Sequence, residues 1–345
     1  MIVEEKYMVR CIELAKKGVG NVAPNPMVGA VVVYNGRIIG EGYHRKFGEA
    51  HAEVNAIASV RDEALLRDST IYVSLEPCSH YGKTPPCAEL IIKKRIPRVV
   101  IGCLDPFPSV SGRGVKMLRE AGIEVVTGVL EEEARMLNLA FMTFQIQRRP
   151  YIYLKWAQSQ NGFMDLKRDS VMTPPVSFSS SETLRRVHRL RSEVAAIMVG
   201  TRTALLDNPS LTVRHWIGES PVRVVLDRKL KLQKGAHLLD GAVQTLVFTE
   251  QAVENRPNVE YIQIDFEQDV LLQVLHCLYN KKLNSLMVEG GALLLRSFLE
   301  ANLWDEIWVE TTPLLLGEGV KAPSFSGKVC KSEWRGGHLL EIWRQ

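Results

Sequence analysis

The 345-residue chain is 46% hydrophobic and 24% charged, a composition typical of a globular protein large enough for two domains. Its net charge of +4 comes without a dense run of lysine and arginine or interleaved aromatics, so we predict small anionic ligands and no nucleic-acid partner. No apolar window approaches the ~20 residues of a membrane-spanning helix, and no secretory signal is recognisable. We therefore predict a cytoplasmic protein without a membrane partner, in which the six sparse cysteines remain reduced.

The first half of the chain alternates helix and strand patterns. An amphipathic helix is predicted over residues 4–17, followed by a hairpin. The two strands of the hairpin, 29–34 and 37–41, flank Asn35 and Gly36, a pair suited to the positive φ angles of a two-residue turn. Further helices are predicted over 50–60, 87–94, 112–121 and 131–147, and further strands over 70–75, 98–103 and 124–127. This alternation predicts an α/β layer structure.

A domain boundary is predicted where Arg148-Arg149-Pro150 interrupts the pattern before a new strand at 151–155. The predicted domains are residues 1–147 and 148–345, and the second repeats the α/β theme. Its strands are predicted over 195–199, 222–226, 245–248, 261–264, 285–288 and 306–310, and its helices over 181–192, 269–279 and 292–301. No G-x-G-x-x-G motif follows a strand, which argues against a Rossmann dehydrogenase.

One imidazole and two thiolates, from His51, Cys78 and Cys87, form a three-ligand zinc set with a fourth position left for water. Zinc brings such water to a pKa of ~7, so a nucleophile is available at neutral pH. Glu53 and His51 are two residues apart and do not share a helix face, so the helix must point its N-terminal end at the metal. We predict that Glu53 is the general acid and base, whereas a structural zinc would take His80 as its fourth ligand.

The order H-x-E, then P-C and a second cysteine, matches the signature of zinc base deaminases, except that eight residues separate the cysteines instead of two. The string EPCSHYGKTPPC, with HAE and NPMVGAVVV upstream, closely resembles the bifunctional riboflavin-biosynthesis deaminase-reductase family. The resemblance implies a cytidine-deaminase-like three-layer α/β/α domain acting on 2,5-diamino-6-ribosylamino-4(3H)-pyrimidinone 5′-phosphate. It implies substrate contacts by Asn25, His44, His80, Lys83 and Asp105. Phe107 stands where the family motif D-P-N-P has a polar residue.

The second half resembles the reductase half of the same family through PYIYLKWAQSQNG, HRLRSEVAAIMVGTRTALLDNPSLTVR and VEGGALLLRSFL. The resemblance implies a dihydrofolate-reductase-like α/β domain that uses NADPH to reduce the ribosyl group to ribityl. It implies Lys155 as the catalytic residue next to the ribose. The implied substrate contacts are Arg191, Leu211, Arg214 and Glu289, and the implied cofactor contacts are Ala157, Thr203, Asp207, Gly291, Ala292, Leu293, Leu294, Leu295, Arg296 and Ser297.

Elementary chemistry supports part of this set. Arg191 and Arg214 suit a phosphate through forked hydrogen bonds, and Gly290-Gly291 open a helix whose first amides can meet a phosphate. Arg228 follows a predicted strand, and we predict that it pairs with the 2′-phosphate of NADPH. The chain departs from the family at two stretches: Asn161-Gly162-Phe163 replaces D-G-K, and Ser177-Phe178-Ser179 replaces W-I-T.

We therefore predict a zinc- and NADPH-dependent enzyme that performs two successive steps of riboflavin synthesis, a deamination and a reduction. Its partner is a small phosphorylated pyrimidine, and a homo-oligomer is left open. One alternative is a nucleoside or tRNA deaminase with a non-catalytic or nucleotide-sensing second domain, which would need a basic strip beside the zinc. The other is a zinc-stabilised binding protein, which would have no use for Glu53.

Overall fold

The structure is a computed structural model that describes residues 3–81, 85–107 and 111–345. The chain forms two compact units, Met1–Arg148 and Arg149–Gln345. Each unit consists of a sheet with helices packed on both faces. No helix in the described ranges is long and apolar enough to cross a bilayer.

The first unit contains a five-stranded sheet in the order β2-β1-β3-β4-β5. Its elements are α1 (Glu5–Ala15), β1 (Gly29–Tyr34), β2 (Arg37–Tyr43), α2 (Ala52–Ala58), β3 (Thr70–Leu75), α3 (Cys87–Lys93), β4 (Arg98–Cys103), α4 (Arg113–Glu120), β5 (Glu124–Val126), α5 (Glu131–Leu137) and α6 (Leu139–Gln147). Strand β1 is antiparallel to both its neighbours, whereas β3, β4 and β5 are parallel. Asn35 and Gly36 take positive φ angles of 47° and 73° in the β1–β2 turn, as predicted.

Alternate residues of the strands divide the core of the first unit between two faces of the sheet. Val31 and Tyr72 pack with Met8 of α1 on one face. Val32 and its neighbours on that side pack with Ala56 of α2 on the other. The predicted three-layer α/β/α arrangement is therefore confirmed.

The prediction of one helix over 131–147 is wrong, because the helix is interrupted at Asn138, between α5 and α6. Asn138 leaves the helical region with φ −119° and ψ 29°. Its Oδ1 accepts from the Met27 amide at 2.8 Å, and its Nδ2 donates to the Met27 carbonyl at 2.9 Å. An asparagine can serve as both donor and acceptor in this way, and the pair of bonds fixes the segment that leads into β1.

We predict that Asn138→Ala destabilises the first unit by about 1–3 kcal/mol, because it leaves both backbone groups of Met27 without their partner. Chemical denaturation should show a lower midpoint for this variant. Asn21→Ala is the control, since Asn21 is exposed and its side chain donates a long, 3.4 Å hydrogen bond to the Val19 carbonyl. Equal midpoints for the two variants would contradict the structural role given to Asn138.

The second unit contains a nine-stranded sheet in the order β11-β10-β9-β8-β12-β6-β13-β16-β15. Its elements are β6 (Tyr151–Gln158), β7 (Phe163–Asp165), α7 (Ser181–Glu193), β8 (Ala196–Val199), α8 (Thr201–Asp207), β9 (Val222–Leu226), β10 (Thr245–Thr249), β11 (Val259–Gln263), α9 (Val270–Asn280), β12 (Ser285–Val288), α10 (Ala292–Glu300), β13 (Glu306–Thr311), β14 (Val320–Lys321), β15 (Lys328–Arg335) and β16 (His338–Arg344). The first seven strands in this spatial order, β11 across the sheet to β13, are parallel to one another. Strands β16 and β15 are antiparallel to their neighbours. Helices α9 and α10 pack on one face, and α7 and α8 on the other.

The structure adds several elements that the sequence analysis did not predict: α8, the short pair β7 and β14, and the hairpin of β15 and β16. Strand β15 was missed because its sequence lacks the alternation of apolar and polar residues that marks a half-buried strand. In the structure, most of its residues are exposed. Gly336 and Gly337 close the hairpin with φ angles of 55° and 81°, a left-handed conformation that glycine adopts readily. This hairpin brings β16 beside β13.

Candidate active sites

The three predicted zinc ligands converge in the first unit. His51 is the residue that precedes α2, Cys78 follows β3, and Cys87 is the first residue of α3. His51 Nδ1 lies 3.6 Å from Cys78 Sγ and 3.4 Å from Cys87 Sγ. Zinc bonds of ~2.3 Å to sulfur and ~2.0 Å to nitrogen, at a tetrahedral angle, would separate such atoms by roughly 3.5 Å. The three residues therefore fit a zinc ion.

The sulfur of Cys78 is prepared to act as a thiolate. The neighbouring Cys87 and His51 lower the pKa of Cys78 despite its burial. The backbone amide of Cys87 also donates to Cys78 Sγ at 3.3 Å. Thiolate is the form that binds zinc, so the contacts of Cys78 with His51 and with the Cys87 amide suit this sulfur to be a metal ligand.

Glu53 lies in the first turn of α2, where only 3% of it is exposed. With His51 and Cys78, it lines a cavity of about 240 Å³. Burial, reinforced by the charge of Cys78, raises the pKa of Glu53 to about 7. A carboxyl group with such a pKa can both take up and release a proton near neutral pH. Across the described ranges, His51, Cys78 and Cys87 are the one His, Cys, Asp or Glu cluster suited to a metal, which leaves a fourth coordination position without a protein ligand.

Asn25, His44, His80 and Asp105 also line this cavity, together with Phe107. His44 Nδ1 donates to the Ala50 carbonyl at 3.1 Å, so its Nε2 accepts from Asn25 Nδ2 at 3.2 Å. Burial lowers the pKa of His44, which keeps this neutral arrangement. Burial raises the pKa of Asp105 to about 6, and its Oδ1 accepts from the Phe107 amide at 2.8 Å. The predicted contact Lys83 lies outside the described residues.

Glu76 is a buried acid that the sequence analysis missed. Its carboxylate accepts three backbone amides, from Asp105 at 3.3 Å, Gly112 at 3.0 Å and Val115 at 3.2 Å. These bonds tie the segment that carries Asp105 to the end of β3. A charged residue directly after the fully buried strand β3 was the signal available in the sequence.

Lys155 marks the site in the second unit. It lies in β6 directly opposite Trp308 of β13. On the other side, β12 ends with Val288 opposite Leu154, so Glu289 follows beside Lys155. Arg191 of α7 binds Glu289 through two parallel bonds of 2.7 Å, from Nε and Nη2.

The Arg191 fork decides the charge of Glu289. Burial alone would raise the pKa of Glu289, but the charge and hydrogen bonds of Arg191 outweigh it and lower the pKa to about 2. Arg191 Nη1 also donates to the Thr212 carbonyl at 3.1 Å, and this ties the 211–214 loop to α7. Leu211 is buried there with a φ of 53°.

Arg214, another predicted substrate contact, lies in the same loop. Its amide donates to His188 Nδ1 at 3.0 Å, and its Nη1 donates to Thr212 Oγ1 at 3.2 Å. Burial lowers the pKa of His188 to about 4, so this ring is a neutral acceptor. The structure thus brings the predicted contacts Arg191, Leu211, Arg214 and Glu289 to one side of the sheet, and it adds His188, which the sequence analysis missed.

The predicted cofactor contacts fall into separate groups. Gly291 and Thr203 are adjacent, since a Cβ at Gly291 would lie 2.8 Å from Thr203 Oγ1. Along α10, Leu294 and Leu295 point into the core, so their side chains are not available to a ligand. Other positions of α10 face away from the core: Leu293, Arg296 and Ser297 are exposed, and Ala292 is half-buried. Ala157, in β6, is also half-buried.

Two charged residues of the predicted cofactor set already have protein partners. Asp207 Oδ1 accepts from Arg168 Nη2 at 2.5 Å. Arg228 donates to Glu250 at 2.6 Å and to Glu267 at 2.7 Å. A phosphate bound at Arg228 would therefore have to compete with two carboxylates.

Family models and relatives match both units. The model described as the cytidine and deoxycytidylate deaminase zinc-binding region matches residues 1–103, and that of the RibD C-terminal domain matches residues 150–342. The riboflavin biosynthesis protein RibD of Aquifex aeolicus is 43% identical over 324 residues, which cover 92% of this chain and 89% of that protein. The one from Escherichia coli is 35% identical over 338 residues, 92% of this chain and 90% of that protein. The chain belongs to the RibD family.

A solved structure from Thermotoga maritima agrees with this assignment. It is described as a diaminohydroxyphosphoribosylaminopyrimidine deaminase and 5-amino-6-(5-phosphoribosylamino)uracil reductase. It is 39% identical to this chain, with a TM-score of 0.89, and the match covers 99% of this chain and 98% of that one.

Membership of the RibD family confirms the prediction of an enzyme of riboflavin biosynthesis with deaminase and reductase activities. Zinc is the cofactor of the first activity and NADPH that of the second. The predicted cytidine-deaminase-like and dihydrofolate-reductase-like domains are likewise confirmed. A deaminase with a non-catalytic second domain does not fit, because the RibD C-terminal domain match spans the second unit.

The departures from the family pattern have structural partners of their own. Asn161 Oδ1 accepts from Ser159 Oγ at 2.8 Å, and its Nδ2 donates to the Leu316 carbonyl at 2.6 Å. Ser179 Oγ donates to Glu310 Oε2 at 2.8 Å. Both altered stretches therefore form hydrogen bonds within the second unit.

We predict that Cys78→Ala lowers the zinc content of the purified protein from about one ion per chain to a small fraction, because two protein ligands do not hold zinc as three do. Metal analysis by atomic absorption measures this directly. Cys330→Ala is the control, since Cys330 is exposed in β15. Retention of full zinc content by Cys78→Ala would remove Cys78 from the ligand set.

Proposed function

We propose that the first unit deaminates 2,5-diamino-6-ribosylamino-4(3H)-pyrimidinone 5′-phosphate and that the second reduces the ribosyl group of the product with NADPH. The cavity that contains Glu53 beside the His51, Cys78 and Cys87 set carries the first half of the proposal. Similarity to the Thermotoga maritima structure supports the substrate. The proposed functional domains are residues 1–147 and 148–345.

In the deamination, zinc would be held by His51, Cys78 and Cys87 and would make water nucleophilic at neutral pH. Glu53 takes a proton from the attacking water and returns it to the departing amine, so that the ring C–N bond breaks and ammonia leaves. The neutral His44 orients Asn25 towards the pyrimidine. Asp105, fixed through Glu76, and His80 complete the contacts, with Lys83 as a further proposed contact.

In the reduction, a hydride from NADPH forms a C–H bond at the ribose carbon attached to the amine. The bond from that carbon to the ring oxygen breaks, the oxygen takes up a proton, and NADP⁺ is left. The ammonium of Lys155 is the proposed source of this proton. Since Arg191 is engaged by Glu289, we propose that Arg191 orients Glu289 towards the sugar and that the exposed Arg214 binds the phosphate.

The cofactor end of the second site is proposed around Gly291 and Thr203, where the chain turns into α10. Backbone amides at the start of α10 are donors suited to a phosphate. Asp207 shapes this region through Arg168. A cytoplasmic location and the absence of a nucleic-acid partner remain predictions, and a homo-oligomer is left open.

We expect Glu53→Gln to lower ammonia release by about 10²–10⁴-fold, the usual contribution of a positioned acid–base group. Lys155→Ala should lower NADPH oxidation by a similar factor when the deaminated intermediate is supplied. Each variant should keep the other activity. Glu49→Gln and Lys234→Ala, which change exposed residues of the same types, are the matched controls.

Assays of ammonia release and NADPH oxidation by the purified protein of unchanged sequence test the proposal as a whole. Ammonia release and NADPH oxidation with the proposed substrate would support both halves. Ammonia release without NADPH oxidation would contradict the proposed reduction, and the absence of both signals would contradict the proposed substrate.

For Arg228 we propose a contact with the 2′-phosphate of NADPH. Arg228→Ala should then lower the preference for NADPH over NADH by about tenfold or more, because one charge-assisted pair is lost. The ratio of kcat/KM for the two cofactors measures this preference. An unchanged ratio would assign Arg228 to the ion pairs with Glu250 and Glu267 alone.

A further inference from the structure

Glu310 is a buried acid in the second unit that the proposed reaction does not yet use. It lies in β13, and only 2% of it is exposed. Ser179 Oγ donates to its Oε2 at 2.8 Å, and His338 Nδ1 donates to its Oε1 at 2.6 Å. We call Glu310, Ser179 and His338 the Glu310 cluster.

The Glu310 cluster joins three parts of the second unit. Ser179 precedes α7 in the stretch that departs from the family motif, and His338 is the first residue of β16. Both oxygens of the carboxylate are therefore held, each from a different element. A carboxylate held at both oxygens has little freedom to rotate, so its position beside neighbouring groups is defined.

Strand register places Glu310 on the same face of the sheet as Lys155. Lys155 pairs with Trp308, and Ala157 pairs with Glu310. Residues two apart on a strand point to the same face, so Lys155 and Glu310 share one face as diagonal neighbours. Both also line one cleft, together with Thr183 and Arg186.

The environment keeps Glu310 ionised beside Lys155. Burial alone would raise the pKa of Glu310, but the hydrogen bond from His338 and the charge of Lys155 contribute to a net lowering. The other acid beside Lys155, Glu289, is bound by the two-pronged fork of Arg191. Glu310 is held by hydroxyl groups and an imidazole instead of a guanidinium group.

We propose that Glu310 is a positioning residue of the reductase site, which holds the Lys155 ammonium in the orientation needed for proton transfer to the sugar. The proposal rests on the reduction proposed above. A lysine side chain has four rotatable bonds, and a fixed carboxylate on the same face restricts them at the charged end. Ser179 and His338 act through Glu310 by fixing its carboxylate.

Steady-state kinetics of the full-length zinc-loaded protein, with the deaminated intermediate and NADPH, test this role. Glu310→Gln keeps the size of the side chain and its capacity to accept hydrogen bonds but removes the charge. We expect kcat for NADPH oxidation to fall by about 10–100-fold, as for other misplaced catalytic groups, with the KM for NADPH within about twofold of the unchanged protein. Glu310→Asp, which restores the charge, should recover part of kcat.

Two further variants keep the test decisive if Glu310→Gln folds poorly. Ser179→Ala removes one hydroxyl group and should lower kcat by about threefold to tenfold in the same assay, since one of the two carboxylate anchors is lost. Glu341→Gln is the matched control: it removes an acid from the neighbouring strand β16, at the same cleft, and should leave kcat unchanged.

The outcomes separate this proposal from that of the reduction itself. No NADPH oxidation by the unchanged protein contradicts the reduction. With that activity present, an unchanged kcat in both Glu310→Gln and Ser179→Ala overturns the positioning role. A loss of kcat in Glu310→Gln that Glu310→Asp does not recover overturns it as well, because the charge would then not be the cause.

Discussion

Burial of carboxylate groups is the constraint on which both sites depend, because a buried charge is costly unless a cation or hydrogen-bond donors offset the lost water. Glu53 and Glu289 show the two outcomes. Around Glu53, burial and the charge of Cys78 outweigh the charge of His51 and raise its pKa to about 7. Glu289 is held by Arg191, which lowers its pKa to about 2. One acid is therefore suited to exchange protons, and the other to remain a fixed negative charge.

The positions of the site residues in both units follow from the order of elements along the chain. Cys78 comes after β3, whereas His51 and Cys87 come at the starts of α2 and α3. In an α/β layer structure, the ends of strands and the starts of the following helices meet at one edge of the sheet. The end of β3 and the starts of α2 and α3 therefore bring the histidine and the two cysteines together. In the second unit, Glu289 follows the end of β12 in the same way and lies beside Lys155.

Sequence motifs were sufficient to predict that His51, Cys78 and Cys87 lie together, and to predict the α/β class of both halves. They were not sufficient where a side chain is defined by a distant partner. The bond of Asn138 to Met27 spans 111 positions, and no local pattern indicates it. His338 and Glu310 are 28 positions apart and meet because the hairpin of β15 and β16, whose first strand is mostly exposed and lacks apolar alternation, returns beside β13.

The stretch at Ser177-Phe178-Ser179 shows how one position can keep its chemistry within an altered motif. Where the family motif reads W-I-T, the first two residues change to serine and phenylalanine, but the third exchanges one hydroxyl-bearing residue, threonine, for another, serine. In the structure, the hydroxyl of Ser179 donates to the buried Glu310, whose other oxygen accepts from His338. An unpaired carboxylate at that depth would favour its neutral form, and the neighbouring Lys155 would then lose a fixed negative charge. Ser179 and Glu310 are therefore best considered together, as a hydrogen-bonded pair.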